Sequence, residues 1–149
     1  MARARSLSDA FCFALAIGTA VMVAGCGGSP ITAERVQRAF APTFANLVHT
    51  QVDWLGLPPM SPSQVGALAQ CRSASGATTG SGEWVCTVIW RGPEGQSIGD
   101  AYDLLVGTDG CFTASVANES LGGPTLRNKN GKTVRNLLYA FESCFDTTT

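Results

Sequence analysis

The chain has 149 residues, ten Lys and Arg against eleven Asp and Glu, a formal net charge of −1 and 45% apolar residues. That near-neutral balance argues against nucleic acid as a partner and against a polybasic membrane anchor. The length allows one modest core and excludes two independent domains.

The N-terminus carries Arg3 and Arg5 and runs into residues 11–23, a stretch without charge, followed by small residues. A positive start, a short apolar core and a small-residue cleavage site make up an export signal. The run falls short of the roughly 20 apolar residues that a membrane-spanning helix needs. Val23-Ala24-Gly25-Cys26 resembles the lipobox of bacterial lipoproteins, an aliphatic residue and two small ones before a cysteine. That resemblance implies that residues 1–25 are a signal, that Cys26 becomes the lipidated first residue, and that 26–31 form a tether ahead of one domain at 32–149. Several acyl chains on one residue anchor stably where a single chain does not. The alternative is an ordinary secretory signal that releases a soluble protein. Without residues 1–25 the chain keeps eight basic and ten acidic residues.

Cys12 leaves with the signal and Cys26 is spent on lipid, so Cys71, Cys86, Cys111 and Cys144 remain. An even number of cysteines in an exported chain predicts two disulfides. No two lie close enough in sequence for a zinc site or a redox pair.

The segment ITAERVQRAFAPTFANLVHTQVDWLG predicts a long amphipathic helix capped by Thr32, with Glu34 in its first turn and Val36, Phe40, Phe44, Leu47 and Val48 as its apolar stripe. Pro42 interrupts the pattern without changing its phase, which predicts a kink, not a break. A short second helix is expected around residues 64–70, capped by Ser61 or Ser63. EWVCTVIW, AYDLLVG and CFTASV read as strands, with a tight turn at Asp109-Gly110 and a looser one in RGPEGQSIGD. In such a meander Cys86 and Cys111 lie two strand spacings apart, close to 10 Å at about 4.8 Å each, too far for a direct bond. Of the three connectivities, Cys71–Cys86 and Cys111–Cys144 is favoured. A further hairpin is predicted to turn at Asn130-Gly131, ahead of an apolar tail.

The first strand is apolar on both faces, Trp84, Val88 and Trp90 on one and Val85 and Ile89 on the other. The helix is therefore expected to cover one face, and the tail, through Phe141 and Phe145, part of the other. The predicted class is α+β, an N-terminal Pro-kinked helix on an antiparallel meander of about four or five strands with two disulfides.

Phe40 to Leu47 in FAPTFANL, Gln51, Leu55-Gly56, Cys71, Trp84-Val85-Cys86, Asp109-Gly110-Cys111 with Phe112-Thr113-Ala114, and Cys144-Phe145-Asp146 together resemble the uncharacterised secreted lipoproteins of high-GC Gram-positive bacteria. These are scaffold residues, and the resemblance implies fold and disulfides but no activity.

Catalytic patterns are weak. His49 has no activated serine to serve, and the sequence contains no Gly-x-Ser-x-Gly elbow. Asp53, Asp100 and Asp103 read as turn and surface residues, and nothing in their spacing pairs them for glycoside chemistry. GTDG and NKNGK hold too few carboxylates for calcium, and no phosphate loop is present. The expectation is a non-enzyme without cofactor or metal. Of Trp54, Trp84 and Trp90, the last, at a strand end beside Arg91, is the expected exposed contact. The functional expectation is a lipid-anchored module outside the cytoplasm that binds an envelope protein or polymer. A small envelope hydrolase using a carboxylate with His49 or alone, and a carrier holding an apolar ligand between helix and sheet, are the alternatives.

Overall fold

The computed structural model describes residues 30–147. The expected signal and Cys26 lie outside the described residues, as does most of the expected tether. Its last residue, Ile31, is already buried, and its carbonyl accepts from the Gly80 amide at 2.9 Å.

Helix α1 spans Ala33–Leu55, and the Thr32 hydroxyl accepts from the Arg35 amide at 3.4 Å. Val36, Phe40, Phe44, Ala45, Val48, Gln51 and Val52 form its buried stripe. The helix runs through Pro42, which sits on the exposed side. It stops at Gly56, whose φ of 69° suits a residue without a Cβ. A Cβ there would lie 2.7 Å from Lys129 Cε, because the stem of Lys129 crosses this glycine.

Helix α2, Pro62–Val65, is shorter than the sequence suggested. Ser61 caps it, and a reciprocal bond from the Ser61 amide to Gln64 Oε1 completes a capping box. Gly66 ends it, and the residues expected to continue the helix form a strand instead.

That strand is β1, Leu68–Ser73. It is followed by β2, Gly82–Arg91, β3, Ser97–Val106, and β4, Cys111–Val116. A short hairpin, β5 at Thr125–Arg127 and β6 at Thr133–Arg135, precedes β7 at Ala140–Cys144. The main sheet is antiparallel in the order β1-β2-β3-β4-β7, and β5 and β6 pair only with each other. Thus α1 packs on a five-stranded sheet, an α+β architecture.

Both disulfides join residues directly opposite in register, Cys71 to Cys86 across β1 and β2, and Cys111 to Cys144 across β4 and β7. Each ties an edge strand to its neighbour. The first lies in the core, whereas Cys144 of the second is exposed.

The core is aromatic. Phe40 touches Tyr102 and Phe141 with ring centroids 5.4 Å apart, and Phe44 meets Trp90 edge-on at 4.8 Å. Edge-to-face pairs add to the burial term because ring edges and faces carry opposite partial charge. Tyr102 is fully buried and its hydroxyl donates to the Leu138 carbonyl at 2.6 Å. Burial raises its pKa well above the usual phenol range, and Asp100 adds to the shift. A pKa higher in the folded than in the unfolded chain stabilises fully below the unfolded value of about 10, and that contribution fades as the pH climbs beyond it. The unfolding free energy should therefore fall above about pH 10, and Tyr102→Phe, read by denaturant titration at several pH values, should flatten that fall.

The tail corrects the sequence reading. It does not shield the far face: β7 joins the sheet, and Phe141 points to the helix side, against Phe40 and Phe44. The far face is open.

Candidate functional site: the open sheet face

Odd-numbered residues of β2, β3 and β4 point away from α1. By register, Leu68, Ile89 and Gly99 form one row across the sheet, and Gln70, Thr87 and Ala101 the next. Arg72, Val85, Asp103, Ser115 and Ala140 form the third, then Glu83, Leu105, Thr113 and Glu142 the fourth. Large apolar side chains stand in solvent here, with Leu68 74%, Ile89 52% and Leu105 61% exposed.

The last two rows, apart from Arg72 at the β1 edge, form the floor of a concavity of about 700 Å³, with Ala74 and Arg135 also at its lining. Glu83, Asp103 and Glu142 bring three carboxylates to it, against the single cation Arg135. Spacing alone did not foretell this grouping. Glu83 lies opposite Leu105, and Asp103 opposite Val85, so the two acids are diagonal neighbours. Such positions are about 7–8 Å apart. Glu142 lies two strands further from β3. Strand parity is the signal that could have grouped them, since all three alternate with buried residues.

The sequence-predicted contact is corrected. Trp90 is buried, 4% exposed, against Phe44, because it shares parity with Trp84 and Val88 and so faces the helix. Arg91 is exposed and lines a separate hollow of about 570 Å³ with Pro58, Pro59 and Pro93. Strand alternation therefore separates the two members of the expected site.

His49 is exposed, with Nδ1 2.5 Å from the Met60 carbonyl oxygen, which ties α1 to the segment before α2. Asp100 is not a surface residue: it is buried and accepts from the Ala101 amide at 2.7 Å, from Asn118 Nδ2 at 3.2 Å and from the Ser120 hydroxyl. It thereby anchors the loop after β4. Asp109 caps the β3–β4 turn by accepting from the Cys111 amide at 3.1 Å. Among the described residues no three His, Cys, Asp or Glu side chains converge as metal ligands would.

Known protein families, characterised proteins and solved structures offer no match to this chain.

Proposed function

We propose that the chain is a lipid-anchored protein on the outer side of the cytoplasmic membrane, a non-catalytic module that docks a partner protein on its open sheet face. The observation that carries this reading is the face itself, where Val85 and Leu105 stand beside Glu83, Asp103 and Glu142, and Ile89 extends the same face further along β2. Apolar anchors within a charged surround are the usual composition of a docking surface. The acidic excess in the concavity favours a partner that presents an apolar side chain flanked by basic ones. The address is supported by Val23-Ala24-Gly25-Cys26 and by disulfides of the kind that persist in oxidising compartments. Phe40 and Phe44, expected to line a carrier's cavity, are fully buried in ring contacts, which weighs against an apolar ligand between helix and sheet.

The test is chemical cross-linking in native membranes followed by mass spectrometry, with the natural chain, Cys26→Ala, and the face variants Ile89→Asp and Leu105→Asp. Both variants place Asp, a poor strand former, on central strands, and Leu105→Asp stands opposite Glu83, so each should lose about 1–2 kcal/mol and stay folded, which circular dichroism checks. A dominant partner protein that is lost in both face variants and depleted in Cys26→Ala is expected. A partner retained by the face variants would sink the docking surface, and an unmodified Cys26 would sink the anchor.

A further inference from the structure

The overall charge conceals a local excess. Arg127, Lys129, Lys132 and Arg135 all belong to the β5–β6 hairpin, and no acidic residue lies between the first and the last. Four of the chain's ten basic residues thus sit on one small two-stranded ribbon.

That ribbon is fixed against the C-terminal end of α1. The Lys129 amide donates to the Leu55 carbonyl at 3.1 Å, and the Lys129 stem lies over Gly56. The placement is favourable because the end of a helix is partly negative. Arg127 is used within the hairpin, donating to the Gly131 carbonyl at 2.9 Å. Neither Lys132 nor Arg135 has a side-chain ion pair among the described residues.

Beside these two cations stands Trp54, 43% exposed. With Asn128, Lys132, Thr133, Val134 and Arg135 it lines a hollow of about 410 Å³. The tryptophan supplies a flat apolar wall, Asn128 and Thr133 supply neutral hydrogen-bonding groups, and Lys132 and Arg135 supply charge. Asp53 precedes Trp54 in sequence, but successive helical residues point about 100° apart. Leu57, 42% exposed, continues the apolar surface past Gly56.

We propose that this hollow binds an anionic glycan, a sugar chain bearing carboxylate or phosphate groups, with one ring stacked on Trp54 and an acidic group held by Lys132 and Arg135. Sugar rings present apolar C–H faces suited to an aromatic wall, and their hydroxyls suit an amide and a hydroxyl at the rim. A bare polyanion would need only the cations. A membrane surface would need only the charge and the aromatic, whereas Asn128 and Thr133 beside them add the neutral polar groups that sugar hydroxyls use. The site is separate from the sheet face and stands whether or not a protein docks there, although Arg135 borders both.

Tryptophan emission reads the site directly, because Trp84 and Trp90 are 2% and 4% exposed and only Trp54 meets solvent. The full chain, held in neutral phosphatidylcholine nanodiscs, is titrated with polygalacturonate, phosphorylated dextran, neutral dextran and polyphosphate. A parallel sample uses discs containing phosphatidylglycerol. At least one acidic glycan should change the emission and bind more weakly as salt rises, while neutral dextran does neither. By calorimetry, Trp54→Ala should weaken that binding by about tenfold or more, the scale of a central aromatic anchor. Lys132→Ala should weaken it and flatten its salt dependence. Polyphosphate binding as well as the glycan with Trp54→Ala neutral would reduce the site to a charge patch and overturn the proposal. A response to phosphatidylglycerol with none to either acidic glycan would assign the surface to the membrane instead. Equal binding of neutral dextran, or no binding of either acidic glycan, would also overturn it.

Discussion

Phe40→Ala is expected to lower the unfolding free energy by about 3–5 kcal/mol, which places it among the most damaging single substitutions in the chain. Phe40 is fully buried, and its ring meets those of Phe44, Tyr102, Phe112 and Phe141 at centroid distances of 6.0, 5.4, 6.2 and 5.4 Å. It is the one helix residue that touches rings from β3, β4 and β7 together, so truncation opens a void that a single side chain cannot fill. Helix and sheet are both stapled or capped in place, which limits how far they can collapse into it. Against a typical total of about 5–15 kcal/mol, that loss consumes a large part of the stability. Denaturant titration with disulfides intact provides the measurement: the midpoint should fall steeply with an unchanged slope. The contrast is Trp54→Ala on the same helix, 43% exposed and outside the aromatic cluster, which should cost less, about 1–2 kcal/mol. A loss below about 1 kcal/mol for Phe40→Ala would mean that the aromatic cluster can repack, and that the helix is held chiefly by its ends.

How legible these features were depends on which force decides each one. Helix α1 could be read because Thr32, the stripe from Val36 to Val52 and Gly56 are local signals that agree with one another. Strands β2 to β4 could be read because β-branched residues alternate around an Asp-Gly turn. Strand β1 could not: LAQCRS has little intrinsic preference for a strand, and its conformation comes from pairing with β2 through Cys71 and its neighbours. The same limit hid the role of the tail. Phe141 and Phe145 announced burial, but burial on the helix side follows only once β7 is known to pair with β4 in register with Ala114. The open face was hidden for another reason, since an apolar residue in a sequence does not declare whether it is inside. Val85 and Ile89 read as a second buried face and instead belong to the open one, with Ile89 exposed and Val85 half-buried. Trp90 is the instructive error, because its parity with Trp84 and Val88 placed it inside, while its position at a strand end suggested the opposite. The hollow beside Trp54 needed the β5–β6 hairpin folded back on the end of α1, a long-range contact that no local pattern announces.

Replacing each disulfide by serines should separate two effects that chain length alone would rank the other way. Cys71–Cys86 closes 15 residues and Cys111–Cys144 closes 33. The chain-entropy model therefore gives about 3 and about 3.7 kcal/mol, in favour of the second. Burial reverses the order. Cys71 and Cys86 are 7% and 0% exposed, so serines there leave hydroxyls in the core, at about 1–3 kcal/mol for each left unpaired. Cys144 is exposed and Cys111 half-buried, so serines at that pair are solvated. Cys71→Ser/Cys86→Ser should accordingly be the more destabilising pair, with a loss of about 4–6 kcal/mol when even one of its two hydroxyls stays unpaired, against about 3–4 for Cys111→Ser/Cys144→Ser. Access orders the chemistry in the same sense, since a thiolate must reach a sulfur to exchange with it. Under a limiting dithiol, alkylation followed by mass analysis should label Cys111 and Cys144 before Cys71 and Cys86. Because β1 and β7 are the two edges of the sheet, each bond clamps the strand freest to peel away, and both clamps keep the open face a fixed surface. If Cys71 and Cys86 were labelled first, β1 would have to detach from β2 more readily than solvent reaches Cys144. Leu68 and Arg72 would then belong to a mobile rim, and the docking surface would shrink to β2, β3, β4 and β7.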